Sequence, residues 1–137
     1  MRHALVAALF ALALAGAAQA RGDWKDDLTP GDWVRTTASS NDLAVLFYKP
    51  SPAPPGEHRI IVRLEVAPDH EEKFHSSTDL MQVDCAAMRY RRIEAVAYVG
   101  NNLSGAEAFR YPAQTDWSEA KSGTTIFDLL TKVCQTV

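Results

Sequence analysis

The sequence predicts an α+β domain, in which one antiparallel β-sheet of about five to six strands is closed by a C-terminal α-helix tethered to the sheet by a disulfide. Three observations support this fold class. Apolar residues alternate at period two through the middle of the chain, and the period changes to a helical one near the C-terminus. The segments between the predicted strands are too short for the crossover helices that parallel strands require. The length of 137 residues suits a single domain.

The composition excludes several classes of protein. A hydrophobic content of 47% is too high for a disordered chain. The chain has 14 Lys and Arg residues against 17 Asp and Glu residues, which gives a net charge of -3. A nucleic-acid binder held by phosphate contacts needs the opposite balance, so no nucleic-acid partner is expected.

The first twenty residues have the three parts of a secretory signal peptide. A basic start, Met1-Arg2-His3, precedes the apolar run at residues 4–14, and Ala18-Gln19-Ala20 supplies the small residues of a cleavage site. The apolar run is too short to span a bilayer comfortably, and no second apolar run follows. We therefore expect no membrane span after cleavage. The alternative is that the segment stays uncleaved as an N-terminal anchor. No Cys adjoins the cleavage site, so a lipoprotein is not predicted. We expect an exported protein, periplasmic or extracellular, that begins at Arg21.

The mature chain begins with a polar segment. Residues 21–31 end in Pro30-Gly31 and are predicted to be a flexible leader, which leaves residues 32–137 for the folded domain. Short strands are predicted at residues 32–37 and 43–48. Residues 50–55 then hold four prolines, and because proline lacks an N–H donor we expect an extended, exposed connection that does not join the sheet.

The central strands have the clearest pattern. Residues 58–67 alternate, with one face formed by Ile60, Val62, Leu64 and Val66 and the other by Ile61, Arg63 and Glu65. Residues 78–87 form the next predicted strand, whose inward face carries Met81, Val83 and Cys85. A further strand at residues 88–99, a turn at 100–102 and a last short strand at 106–111 complete the predicted sheet.

The C-terminal segment has the period of an amphipathic helix. Its apolar stripe consists of Ile126, Leu129, Leu130, Val133 and Cys134. Thr124 or Thr125 is suited to cap the helix start. Asp128 in the first turn and Lys132 near the other end are placed favourably for the helix dipole.

The two cysteines of the chain, Cys85 and Cys134, allow one intramolecular pairing. An exported protein meets oxidising conditions, in which disulfides form and persist. The alternative is a reactive or metal-binding thiol, but neither cysteine belongs to a Cys-x-x-Cys pair. We therefore predict a structural disulfide that holds the helix against one face of the sheet.

The densest group of potential metal ligands lies at residues 69–75. His70, Glu71 and His75 are weak candidates, because the two histidines are five positions apart rather than the four that place both on one helical face. A solvated turn is the simpler interpretation. The sequence has no Gly-x-Ser-x-Gly elbow and no Gly-rich phosphate loop, so we predict no cofactor and no enzymatic activity.

One basic patch stands out, Arg89-Tyr90-Arg91-Arg92. On a strand Arg89 and Arg91 project from one face, and Tyr90 and Arg92 from the other. The patch is a candidate site for an anionic partner such as a sulfated glycan, a phospholipid headgroup or an acidic protein surface. The alternative is a solvated strand face paired with neighbouring carboxylates. The triplet Asn102-Leu103-Ser104 also matches the N-glycosylation pattern, which is common by chance.

Several motifs occur in an order that resembles a known family. The most specific are the segment from Asp84-Cys85 to Tyr90-Arg91 and the terminal Val133-Cys134, and Trp33-Val34 fits the opening strand. This order resembles the surface-adhesin protein E-like family of small exported bacterial proteins, over most of residues 32–137. The resemblance implies a small antiparallel sheet with a C-terminal helix tethered by a Cys85–Cys134 disulfide.

The family's named member is an outer-membrane lipoprotein that binds host extracellular-matrix proteins, and dimers occur in the family. This chain differs in two respects, since it lacks a lipid-attachment Cys and carries the Pro-rich insert at residues 50–55. The resemblance therefore implies a binding module that can form a homodimer. It does not imply attachment to the membrane by a lipid anchor.

Taken together, these patterns predict an exported, non-enzymatic, adhesin-like binding module of the bacterial envelope, whose partner is an unknown protein or anionic ligand. One alternative is a small periplasmic metal-binding protein or enzyme that uses residues 69–75. Another is an inhibitor or partner of a second envelope protein.

Overall fold

The computed structural model of the protein describes residues 23–36 and 42–135. The predicted signal peptide at residues 1–20 lies outside the described residues, as do residues 21 and 22 of the predicted leader. Within the described ranges no helix has the length and apolar character needed to cross a bilayer.

One antiparallel sheet forms the framework, as the sequence predicts. Its strands lie in the order β1-β2-β3-β4-β5-β6, and β7 pairs with β5 beside β6. The strands are β1 (Val34–Arg35), β2 (Ala44–Ser51), β3 (His58–Val66), β4 (Ser76–Asp84), β5 (Arg89–Tyr98), β6 (Glu107–Tyr111) and β7 (Ser118–Glu119). Strand β7 was not predicted from the sequence, since it is only two residues long.

In the described part of the chain, one α-helix covers part of one side of the sheet. The helix, α1 (Thr125–Cys134), begins at the N-cap Thr124, whose side chain accepts a hydrogen bond from the backbone N–H of Phe127 at 3.3 Å. The side of the sheet under α1, here called the helix face, buries Ile60, Val62, Met81 and Val83 against Leu129, Leu130 and Val133 of the helix. The opposite side, here called the far face, carries Val45, Phe47, Arg63 and Glu65.

The predicted disulfide between Cys85 and Cys134 is present. Cys85 lies in the turn that follows β4, and Cys134 is the last residue of α1, with 5.5 Å between their Cα atoms. The bond therefore anchors the C-terminal end of α1 to the sheet beside the buried Val133.

The Pro-rich segment differs from the prediction at its first two residues, since β2 extends through Ser51. Pro50 belongs to β2 and lies opposite Ile60, so the expectation that all four prolines stay outside the sheet was wrong. The short β1 pairs only with Phe47 and Tyr48. Beyond them β2 is an edge strand, where a residue without an N–H donor is tolerated. Residues 52–56 form the exposed connection that was predicted.

The described part of the predicted leader packs on the far face. Residues Trp24–Asp27 form a 3₁₀ helix, and the following Leu28 is buried against Val45 and Phe47. Trp24 and Trp33 are partly buried around the same cluster. The polar composition of residues 21–31 did not indicate this packing, because it depends on two isolated apolar side chains.

A buried ion pair on the far face holds this packing together. Arg63 Nε donates to Glu65 Oε1 at 2.6 Å, and the two side chains are 3% and 0% exposed. Arg63 also donates to the Thr29 carbonyl oxygen and to Asn102 Oδ1, each at 2.9 Å. The Asn101 side-chain amide donates to Glu65 Oε2 at 2.9 Å. The pair thus joins β3 to the N-terminal segment and to the loop between β5 and β6.

We expect loss of the disulfide to lower stability. It closes a loop of 49 positions, and a loop of that length stabilises the folded state by about 4 kcal/mol in the chain-entropy model. Urea unfolding of a Cys85→Ser/Cys134→Ser variant should therefore give an unfolding free energy lower by up to that amount. Intact-mass measurement of the exported wild-type protein after alkylation without reductant provides the check on the bond itself. Alkylation of both cysteines would contradict the structure.

Breaking the buried ion pair is expected to cost far more than breaking a surface pair. Glu65→Gln leaves the buried Arg63 guanidinium without its counter-charge, which typically costs about 3–5 kcal/mol. The matched control is Glu94→Gln, since Glu94 pairs with Arg110 at the surface and is 48% exposed. That change should cost less than about 1 kcal/mol in the same urea titration. Equal losses of unfolding free energy in the two variants would contradict the larger cost assigned to breaking the buried pair of Arg63 and Glu65.

Candidate functional site

Strand β5 divides the predicted basic patch between the two faces of the sheet. On the far face the guanidinium carbons of Arg89 and Arg91 lie 4.8 and 4.7 Å from the ring centroid of Trp117. On the helix face Arg92 lies 5.3 Å from the ring centroid of Tyr111, and Tyr90 packs against the core under α1. The four residues therefore belong to two separate surfaces.

The exposed Arg89 is neutralised locally. Its Nε lies 2.8 Å from Asp84 Oδ2. The pKa of the Asp84 carboxyl is lowered, first by the hydrogen bond from the Ala87 backbone N–H and then by the hydrogen bond from Arg89. Asp84 therefore stays charged through the neutral range and balances Arg89.

The positive charge of Arg91 is not balanced by a carboxylate of the described residues. Its Nε donates to the neutral side chain of Gln82 at 2.8 Å, and its Nη1 donates to the Thr115 carbonyl oxygen at 3.4 Å. Among the described residues no carboxylate lies within ion-pair distance of Arg91. The half-buried Arg91 thus provides a net positive charge beside an aromatic ring.

The short strand β7 places Trp117 over the two arginines. Ser118 and Glu119 pair with Tyr90 and Arg89, so the preceding Trp117 is brought alongside β5. A depression of about 500 Å³ lies next to the ring, lined by polar and charged residues that include Glu57, His58, Gln82 and Asp84. We refer to Arg89, Arg91 and Trp117 as the Trp117 surface. The sequence indicated the arginines, but no local signal linked them to Trp117.

A groove of about 420 Å³ opens on the helix face, beside the N-terminal half of α1. Its floor includes Val62, Leu64 and Met81, and its walls include Ile126 of the helix and Phe109 and Tyr111 of β6. The Phe109 ring makes edge-to-face contacts with Phe74 and Tyr111, at centroid distances of 5.2 and 5.1 Å. Most of the groove surface is therefore apolar or aromatic.

An ion pair lines this groove. Arg92 donates to Asp79 Oδ2 through both Nε and Nη2, at 3.1 and 2.9 Å. Asp79 Oδ1 is buried and accepts no hydrogen bond within the described part of the chain. Burial raises the pKa of Asp79, against the lowering effect of Arg92. Sequence reasoning missed Asp79, although its place two positions before Met81 puts an acid on the predicted inward face.

The weak metal candidates do not converge. The His75 ring nitrogens lie 2.9 Å from the Val99 carbonyl oxygen and 3.2 Å from that of His70. Glu71 is exposed, and His70 Nδ1 lies 3.6 Å from Glu72 Oε1. Over the described ranges no three His, Cys, Asp or Glu side chains are grouped so as to hold a metal ion.

The side chain of Asn102, in the glycosylation-like triplet, belongs to the buried network instead. Its Oδ1 accepts hydrogen bonds from the Thr29 backbone N–H and from Arg63, each at 2.9 Å, and its Nδ2 donates to the Asp27 carbonyl oxygen at 3.1 Å. A glycan on Nδ2 would displace these contacts. The geometry therefore favours a structural role for the triplet.

Comparison with known proteins bears on the whole domain. The family model described as Surface-adhesin protein E matches residues 33–135, which is well over half of the chain. The matched region contains every strand of the sheet described above, α1 and both cysteines. A search of curated proteins finds no match.

The raised pKa of Asp79 has a consequence for stability. A carboxyl whose pKa is higher in the folded than in the unfolded state binds more protons when folded, so stability falls as pH rises through the interval between the two pKa values. Asp79→Asn removes this titration. Urea titrations between about pH 3 and pH 7 should show wild-type stability falling relative to Asp79→Asn as pH rises. A difference that stays constant, or that moves in favour of wild type, would contradict the assigned shift.

Proposed function

Because the chain belongs to the surface-adhesin protein E family, we propose that it is an exported, non-enzymatic, adhesin-like module that binds an acidic surface of an extracellular-matrix protein through the Trp117 surface. The proposal includes cleavage of the predicted signal peptide after Ala20. The Cys85–Cys134 disulfide supports export, since such bonds persist in oxidising compartments.

The unbalanced charge of Arg91 is the observation that carries this proposal. The charge of Arg89 is cancelled by Asp84, and that of Arg92 by Asp79. Arg91, in contrast, donates only to neutral acceptors among the described residues. An acidic partner would supply the missing counter-charge. Arginine and tryptophan are also the residue types most enriched among the side chains that dominate binding at protein interfaces.

The position of the Trp117 surface suits a macromolecular partner. The ring contacts both arginines and also lines the depression at the end of β4, so a flat aromatic anchor is bordered by polar groups. An apolar centre with a polar, partly solvated rim is the usual arrangement of a protein interface. The N-terminal segment packs on the far face near Val45 and Phe47 of β2. The Trp117 surface lies at a different place on this face, since β7 pairs with Arg89 and Tyr90 at the start of β5.

We expect reversal of the Arg91 charge to weaken binding to extracellular-matrix proteins. In surface plasmon resonance with a panel of immobilised matrix proteins, Arg91→Glu should bind roughly tenfold more weakly than wild type, as expected for loss of a central charged contact. Binding by wild type should also weaken as salt is raised, because exposed charge pairs are screened.

The matched control is Arg35→Glu, which makes the same charge change at an exposed position of β1 on the distant edge of the sheet. This variant should bind within about twofold of wild type. Equal weakening by both variants would mean that only overall charge matters. Unchanged binding by a folded Arg91→Glu protein would remove the Trp117 surface as the site.

A further inference from the structure

The groove on the helix face lies on the opposite side of the sheet from the Trp117 surface and has no part in the adhesive role proposed above. Its volume of about 420 Å³ falls within the range of about 300–1,000 Å³ that small-ligand pockets occupy. Pockets of this kind are mainly apolar and contain a few polar groups that orient the ligand. The groove has this character, since it combines aliphatic and aromatic walls with Asp79 and Arg92.

The walls of the groove suit a flat apolar body. On one side Phe109 and Tyr111 form an edge-to-face pair, and Tyr111 is 49% exposed although it is a large hydrophobic residue. Ile126 of the helix lies on the other side. Aromatic rings prefer edge-to-face or offset contacts with one another, so an aromatic body is accommodated well between such walls.

The polar side chains of the groove indicate which polar group a bound molecule would need. Asp79 and Arg92 carry opposite charges, so the pair offers no net charge to an ionic ligand. Asp79 Oδ1 is left without a donor within the described residues, and a buried acceptor that gains a donor stabilises the complex. Oδ1 is covered by protein atoms, so a ligand donor reaches it only if the carboxylate rotates about its terminal torsion, which is soft in aspartate.

We propose that the groove binds a small, neutral, amphipathic molecule with an aromatic body between Ile126 and Phe109 and a single hydrogen-bond donor directed at Asp79. An extended peptide fits less well, because the groove opens on a face of the sheet and is lined by side chains, including those of the edge strand β6. Main-chain pairing takes place instead at the free hydrogen-bonding side of an edge strand. This inference is independent of the proposed adhesive function.

A fluorescent probe of this chemistry tests the proposal. N-Phenyl-1-naphthylamine is neutral and aromatic, carries one N–H donor, and becomes brighter in apolar surroundings. Titration into the wild-type protein should give a saturable rise in fluorescence. The N-methyl derivative of the probe, which lacks the donor, should bind roughly fivefold more weakly, the usual effect of one hydrogen bond.

Two tryptophan substitutions locate the site. Ile126→Trp places a bulky ring in the groove and should weaken probe binding by roughly tenfold or more. Val99→Trp adds the same side chain at a position that is 46% exposed and outside the groove lining, and it should leave binding unchanged. Asp79→Leu should abolish the difference between the two probes. Circular dichroism and the intact disulfide establish that each variant is folded.

The outcomes are distinct. A saturable signal that is lost in Ile126→Trp, retained in Val99→Trp and stronger for the N–H probe supports the proposal. Absence of a saturable signal with wild type overturns it, as does equal binding by a folded Ile126→Trp protein. Equal affinity of the two probes for wild type overturns the hydrogen bond assigned to Asp79.

Discussion

The buried pair of Arg63 and Glu65 is the constraint on which the far face depends. Two charges that are 3% and 0% exposed are tolerated only when each hydrogen-bonding position is filled. The partners come from distant parts of the chain, namely Thr29 in the N-terminal segment and Asn101 and Asn102 in the loop between β5 and β6. In that loop Asn102 and Leu103 have φ values of 59° and 56°, which is unfavourable for a leucine. Hydrogen bonds from their N–H groups to Glu65 and Ser76 hold this conformation.

The groove arises because α1 covers only part of the helix face. A helix of 10 residues is about 15 Å long, and α1 packs on Ile60 and Val62 of β3 and on Met81 and Val83 of β4. The disulfide fixes the C-terminal end of α1 over the buried core, so the uncovered part of the helix face lies beside the N-terminal half of the helix. The loop held by Glu65 leads directly into β6, which supplies Phe109 and Tyr111 as the far wall. The buried network on one face thereby fixes a wall of the groove on the other.

The sequence predicted the features that have a local pattern. Strands β3 to β5, the capped helix and the disulfide follow from period, turn residues and cysteine count. Period two assigns side chains to faces, but it does not say what covers the second face. The alternation placed Arg63 and Glu65 on the second face but did not show that this face is buried, because the segment with Trp24 and Leu28 that helps to bury it has the polar composition of a leader. Likewise, alternation separated Arg91 from Arg92, but the contact with Trp117 depends on a two-residue strand without a local signal.

An irregularity in β5 decides the electrostatics of the groove. Between Leu80 and Met81 the pairing with β5 skips one residue, so that Met81 lies opposite Arg92 while Leu80 lies opposite Glu94. In a regular ladder Glu94 would lie opposite Asp79 on the helix face, and two carboxylates would meet in a low-dielectric groove, which is strongly unfavourable. The bulge instead turns Glu94 to the far face, where it pairs with Arg110, and places Ala95 opposite Asp79. Bulges commonly redirect side chains in this way. Asp79 is thus left with Arg92 as its partner and with one acceptor unpaired, so the polarity of the groove follows from a single inserted residue.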